Sequence, residues 1–528
     1  MIGIASSCGL AAEAGARIAD RGGNAVDAAL AASAVAAVTE PGVCSLGGGA
    51  FVTIWAPGEQ PVVVDGHVEM PGRGLPPDRL GGGRIDVWME YGRGVSTIVG
   101  PGSVATPGLL ACFQRASDLY GALPWAELLE PAYDYAQDGF PLSQPSYDYL
   151  VYSADPVFGW DPPSRAALHD ADGAGALLRQ DAMVRVDGLA ESIRQIGQEG
   201  AAALHGGSLG ERIVRGLESG GGILTMEDLV AYEAATRVPL RVAVDDWEVA
   251  TTPAPSLGGT ALAAMLLLLD GHPRDGWNDE ELMRVIRAQE AVLRYAADLE
   301  HAVPGIDLAA EARELLAGAR GHLRSALESP STVHTSAVDS QGLACSITIS
   351  SGYGSGALPG GTGIWMNNCL GEIELSPEGY HALPPGTRLR SNMAPTIARR
   401  GDGAVLAIGS PGASRITTAM LCTLLYDLRM ELPLQEAVDA PRLHVVLDDE
   451  GYRVDYEVGL LVHRLGVRRR RFDRSMYFGG VAAVRLDPDG SFSVAADPRR
   501  SGSTALAGRR AALSRRAATG GSVDPTSE

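Results

Sequence analysis

The sequence predicts a layered α/β protein, and three observations predict it. An Ala- and Val-rich stretch from 9 to 38 has helical character. A mainly helical middle runs from Thr106 to about Pro330, and β-branched runs separated by Gly-rich turns follow Thr332. The 528 residues allow about three domains or one layered unit with excursions. With 45% hydrophobic and 20% charged residues the chain buries a large core, which excludes disorder. Aromatics are 5% and glycines number 67, so that core is built from Ala, Val and Leu with close backbone approaches. The net charge of −21 argues against a nucleic-acid or acidic-membrane binder, which needs accumulated positive charge.

Taken in order, Gly22-Gly23-Asn24 divides the first stretch into two helices, and Ala25–Val38 has so few polar residues that it is expected to be buried on most sides. Glu40-Pro41 ends it. Gly47-Gly48-Gly49 then turns into the strand-like Ala50–Trp55; the run suits either an anion cradle or, as favoured here, tight packing of a strand beneath a helix. Helical segments are predicted near Leu109–Tyr120, Trp125–Asp138, Asp187–Gly197 and Asp279–Leu299, with Thr225 capping a helix start and Asp228 three residues on. Strands are predicted at Thr335–Asp339, Leu343–Ser350, Gly363–Asn367, Ala404–Ile408, Gly480–Leu486 and Ser491–Ala496, paired antiparallel. Arg468–Arg471 read as a solvated turn or as intramolecular ion pairs, and the segment 502–528 as a disordered tail.

Six cysteines lie far apart without a Cys-x-x-Cys pair, and the ten histidines are dispersed, so neither a metal nor another cofactor is expected. No apolar run reaches the ~20 residues of a membrane helix. No signal-peptide pattern opens the chain, so the expected location is cytoplasmic, without membrane or nucleic-acid partners.

Chemistry centres on Thr332. It heads a predicted hairpin, and cleavage of the bond between Ser331 and Thr332 would leave an α-amine beside its hydroxyl. That amine titrates near neutrality, so one residue would supply nucleophile and base.

The motifs around this segment, in order, resemble the γ-glutamyltranspeptidase family across nearly the whole chain. They are Gly22-Gly23-Asn24-Ala25-Val26-Asp27-Ala28-Ala29, Thr39-Glu40-Pro41, Gly47-Gly48-Gly49, Thr106-Pro107-Gly108, Leu224-Thr225-Met226-Glu227-Asp228-Leu229 and Thr332-x-His334-x-Ser336-x-Val338-Asp339. Gly363-Ile364-x-x-Asn367-Asn368, Met393-Ala394-Pro395-Thr396, Gly409-Ser410-Pro411-Gly412-x-Ser414-Arg415-Ile416 and Asp497-Pro498-Arg499-Arg500 follow. The resemblance implies an N-terminal-nucleophile hydrolase: a four-layer αββα sandwich made as a precursor that cuts itself before Thr332. The products would be a large chain 1–331 and a small chain 332–528 that stay associated as one unit. It also implies an oxyanion hole at the backbone N–H groups of Gly412 and Ala413, and Ser350 as the hydroxyl bonded to the nucleophile.

The departures bear on the small-molecule acyl or amino-acid-derived substrate. Val68 stands where the family places an arginine that clamps the γ-glutamyl α-carboxylate. Cys369 and Glu372 stand at positions that hold the α-amine, and Ser391-Asn392 replaces a Ser-Ser pair. Arg390, Arg388 or Arg73 are the arginines available to replace the clamp, and Val68→Arg is expected to raise γ-glutamyl-anilide hydrolysis if only the clamp is missing. The short stretch between Glu374 and Arg388 suggests an open pocket.

The leading expectation is thus a self-processing threonine hydrolase or acyltransferase acting on a γ-glutamyl or related amide, as in glutathione metabolism. One alternative is a biosynthetic hydrolase of an antibiotic pathway of the alkyl-proline type, in which the same threonine cleaves a C–C bond next to a carbonyl. A second is an inactive ligand-binding relative, against which the joint presence of Thr332, Ser350 and Gly412 argues.

Overall fold

A computed structural model of the chain describes residues 1–90, 94–170, 175–273, 276–295, 332–376, 378–448 and 450–508. Two antiparallel sheets lie face to face. The first has seven strands in the order Ser503–Ala507, Ile2–Ser6, Val333–Asp339, Ala344–Ser350, Gly49–Trp55, Val62–Gly66 and Ala235–Arg237. The second has six, in the order Phe492–Ala496, Ala482–Leu486, Val405–Gly409, Thr396–Arg400, Trp247–Thr251 and Leu240–Val244. Alternate side chains meet between them, Ala5, Val338 and Ala344 from one sheet against Ile397, Val405, Ala407 and Val484 from the other. These are mostly small, so the sheets approach closely.

Helices cover both outer faces, which completes the αββα order expected from the resemblance. Ala11–Asp20 and Ala25–Thr39 pack on the first sheet; Leu257–Leu268, Arg415–Leu424 and Leu434–Asp439 cover the second, with Asp279–Tyr295 packed in turn on Leu257–Leu268. Ala25–Thr39 is buried along its whole length, as its composition requires. Asn24 caps it in a reciprocal box with Asp27, each side chain bonding the other's backbone N–H. Its neighbour comes close because Gly15 has no side chain: a Cβ there would lie 2.8 Å from the Ala28 carbonyl oxygen. The Thr225–Asp228 box also forms as expected.

Four local expectations meet a test here. Ser503–Ala507 is not a frayed tail but the edge strand beside Ile2–Ser6; the tail beyond it, 509–528, lies outside the described residues. Gly363–Asn367 makes no strand: Met366 forms one isolated bridge to Gly47, ahead of the strand Gly49–Trp55, and its backbone bonds Ala357 and Ser355 instead of a sheet neighbour. Arg469–Phe472 pairs parallel to Gly451–Glu457; Arg468 ion-pairs with Asp448 and Glu450, while the side chains of Arg469–Arg471 are exposed, so each of the two readings holds for part of the run. The glycine run packs tightly, as expected: Cβ atoms at Gly47 and Gly48 would lie 2.4 Å from the Trp365 and Ser350 carbonyl oxygens, and the Gly48 carbonyl accepts from the Gly108 and Leu109 N–H groups where the helix Leu109–Tyr120 begins, over the strand Gly49–Trp55. No helix among the described residues is long and apolar enough to cross a membrane.

Candidate active site

Thr332 sits at the head of the central strand Val333–Asp339, 5% exposed. Its neighbour Ala344–Ser350 runs antiparallel with Val333 opposite Ile349, so the next step places Thr332 opposite Ser350. The Thr332 hydroxyl lies 3.5 Å from Ser350 Oγ, which also accepts from the Gly352 N–H at 3.2 Å. Register alone therefore builds the hydroxyl pair that the sequence predicts. Ser331 lies outside the described residues.

The second sheet delivers the turn Ser410–Ser414. Val405–Gly409 ends at Ser410, whose hydroxyl donates to the Pro411 carbonyl at 2.7 Å and accepts from Gly480 N–H at 3.0 Å. Gly412 and Ala413 follow at φ 128° and 52°, ahead of the helix Arg415–Leu424. Ala413 thus takes the left-handed conformation, which in a residue with a Cβ costs about 1–2 kcal/mol. Among the described residues neither the Gly412 nor the Ala413 N–H has a protein acceptor, and Ala413 lines the same cleft as Thr332 and Ser350. Two unspent donors beside a hydroxyl are what a tetrahedral oxyanion needs.

His334 ties the two parts together. Its Nδ1 is 2.9 Å from Thr348 Oγ1, and its Nε2 is 2.9 Å from Ser336 Oγ. Ser336 donates its own proton across the sandwich to the Ala482 carbonyl, so Nε2 carries the imidazole proton and Nδ1 accepts. Burial lowers its pKa to about 3 and keeps the ring neutral. The ring lies directly on Gly409, the last residue before the turn that carries Gly412 and Ala413.

Asn367 and Asn368 fix the opposite wall. Asn367 accepts from the Ala105 and Cys369 N–H groups and donates to the Gly47 and Ala105 carbonyls. Asn368 accepts from Tyr353 N–H and donates to Thr97 and Ile98. The wall they hold includes Glu372 and Glu374. Burial pushes both carboxyls well above the ordinary range; Glu374 pushes Glu372 further up, while the thiol of Cys369 and the hydroxyl of Tyr353 act the other way on Glu372 and Glu374 respectively.

The structure brings Thr332, Ser350, Glu372, Ser391, Asn392 and Ala413 to one cleft of about 30 Å³. It is narrow rather than open. Three predicted substrate contacts do not line it. Val68 is 0% exposed and packs among Met70, Ala105, Ile223, Cys369, Leu370 and Leu389. Cys369 belongs to that apolar cluster and meets Glu372 from behind. Arg390 ion-pairs with Glu378 and donates to the Leu375 carbonyl at 3.3 Å. Nor do the other arginines take over the clamp: Arg388 lies on Tyr232 and pairs with Glu69 at 3.3 Å and Asp65 at 3.7 Å, and Arg73 pairs with Glu69 and Asp228. Two titratable lining residues, His67 and Glu374, escaped the sequence reading, as did the apolar Leu375, Met393 and Ile416; Glu374 is signalled only by its Glu-x-Glu spacing from Glu372. A larger surface cavity of about 340 Å³ between Tyr133 and Glu191 holds none of these groups.

The family model for gamma-glutamyltranspeptidase matches residues 11–507. Glutathione hydrolase proenzyme of Escherichia coli (strain K12) is 27% identical, over 94% of this chain and 90% of its own. Acylase ACY 1 proenzyme of Pseudomonas sp. (strain V22) is 29% identical, over 93% and 91%. Among solved structures, cephalosporin acylase from Bacillus halodurans superposes with a TM-score of 0.79 at 24% identity, covering 96% of this chain and 95% of that one. Helicobacter pylori gamma-glutamyltranspeptidase gives 0.51 at 23%, covering 59% and 89%. The two structures share the fold.

Proposed function

From the premise that this chain belongs to the gamma-glutamyltranspeptidase family of N-terminal-nucleophile enzymes, we propose a self-processing threonine hydrolase and acyltransferase acting on a γ-glutamyl or related acyl amide. Cleavage between Ser331 and Thr332 frees the Thr332 amine. That amine takes the hydroxyl proton as Oγ1 attacks the amide carbonyl carbon, and the oxyanion is received by the Gly412 and Ala413 N–H groups. Collapse breaks the C–N bond, the leaving amine takes the proton, and an ester to Thr332 remains. Water or an acceptor amine then attacks the ester and restores the hydroxyl. Ser350 orients Oγ1 throughout.

One observation carries this reading: the Thr332–Ser350 hydroxyl pair and a turn with two unused N–H donors meet at a single cleft, although they come from different sheets. The test is release of p-nitroaniline from acyl anilides together with mass detection of an acyl group on Thr332. Thr332→Ala should abolish both; persistent turnover would place the nucleophile elsewhere. A second reading, cleavage of a C–C bond next to a carbonyl in an alkyl-proline type of antibiotic pathway, is favoured by the apolar cluster around Val68 where the glutamyl clamp belongs. All six cysteines are free and buried, which suits the reducing cytoplasm we propose as its location.

A further inference from the structure

The part of the cleft wall formed by Glu372, Glu374 and His67 has no cation to meet it. Glu372, 8% exposed, has the Cys369 thiol as its neighbour. Glu374 accepts from the Tyr353 hydroxyl at 3.0 Å through Oε1, while its Oε2 is buried without a partner. His67, 3% exposed, lines the same cleft. Its Nε2 is 3.1 Å from the Arg390 carbonyl oxygen and must be the protonated nitrogen, so Nδ1 carries a lone pair, and that atom too is buried without a partner. Burial lowers the His67 pKa to about 4, so the ring supplies no positive charge. Among the described residues neither glutamate enters an ion pair, and no Lys or Arg lines the cleft.

A buried acceptor left unmatched is expensive, and neither Glu374 Oε2 nor His67 Nδ1 has a partner. The group that completes this wall has several N–H donors and a positive charge. A carboxylate entering the same space would meet two carboxyls and no arginine, since Arg73, Arg388 and Arg390 are spent on Asp228, Glu69, Asp65 and Glu378.

We propose that the cleft selects acyl donors carrying a primary ammonium and no free carboxylate, with Glu374 and His67 joining Glu372 as the specificity-determining residues. This rests on the reading that Thr332 accepts the acyl group. Four p-nitroanilides of one length separate the contributions: 4-aminobutanoyl (ammonium only), γ-glutamyl (both groups), glutaryl (carboxylate only) and butanoyl (neither). The expected result on the full-length processed protein is a kcat/KM for 4-aminobutanoyl at least about 30-fold above each of the others, the low end for a buried charge pair. In Glu374→Gln that preference over butanoyl should fall by about 10-fold or more, through KM. A preference for γ-glutamyl or glutaryl, or equal use of butanoyl, overturns the inference while leaving the threonine chemistry intact. Calorimetric titration with 4-aminobutanamide and with glutaramic acid decides it without turnover. Tighter binding of the amine, lost in Glu374→Gln, supports the inference even if every anilide is inert and the acyl-transfer reading fails; tighter binding of the acid, or no binding of the amine, refutes it.

Discussion

Replacing Gly409 by alanine tests how the nucleophile and the oxyanion turn are held together. A Cβ at this position would lie 2.2 Å from His334 Cε1, 2.3 Å from Nδ1 and 2.7 Å from Nε2, whereas ordinary contact begins near 3.4 Å. Strand end and ring must therefore separate by about 1 Å, as the contact distances require. The ring cannot yield freely, because Thr348 and Ser336 hold its two nitrogens at 2.9 Å each, and Ser336 is tied to Ala482 on the other sheet. Overpacking of this kind costs about 1–3 kcal/mol. The alternative is for Gly409 to move, which carries Ser410–Ala413 away from Thr332, and a displacement of about 1 Å at reacting groups lowers the rate by about 100-fold. The assay is anilide turnover with Tm measured in parallel. We expect kcat to fall about 100-fold with KM little changed, and His334→Ser in the same chain to recover part of the loss by removing the obstacle. Wild-type kcat in Gly409→Ala would refute the claim that His334 sets the distance between the two sheets at the site.

Three further outcomes follow from the same geometry. Ala413→Gly should keep full turnover and change stability by no more than about 1 kcal/mol, since it releases left-handed strain but adds chain entropy; a dead enzyme would mean that the Ala413 methyl contacts substrate. Val68→Arg should not raise γ-glutamyl hydrolysis, because the position lies in an apolar cluster away from the cleft, and a buried unpaired charge there costs about 3–5 kcal/mol; a stable variant with new activity would contradict this placement. Glu372 and Glu374 have folded-state pKa values above their unfolded ones, so their contribution to stability is full below the ordinary carboxylate range and is lost as pH rises toward and past neutrality. Denaturant titration of the ligand-free protein should show that fall, and Glu374→Gln should flatten it; an unchanged slope would mean that the pair does not hold a proton.

Much of this was readable in the sequence where the signal is local. Ala25–Thr39 announces its burial by lacking a polar face, and Thr225 with Asp228 marks a helix start by spacing alone. The Thr332–Ser350 pair is also nearly local, because a short turn sets the register of one hairpin. What escaped depends on contacts between distant segments. Ser503–Ala507 has tail-like composition and becomes a strand only because Ile2–Ser6 offers an open edge. Val68 holds a substrate position in its motif, yet its side chain turns into a cluster whose members come from four other parts of the chain. The arginines near it looked available until Asp65, Glu69, Asp228 and Glu378 came into view. Glu374 and His67 carry no motif, and only the cleft brings them beside Thr332.

The central claim, that Thr332 is an N-terminal nucleophile made by self-cleavage, is tested most directly by the intact mass of the purified, denatured protein beside its Thr332→Ala variant. The account predicts two chains from the parent, the smaller being 332–528, 197 of the 528 residues and so about 21 kDa of the 55.0 kDa total, with Thr332 at its N-terminus. The variant should remain one uncut chain. A single 55.0 kDa species from the parent, or a cut elsewhere than before Thr332, would contradict it.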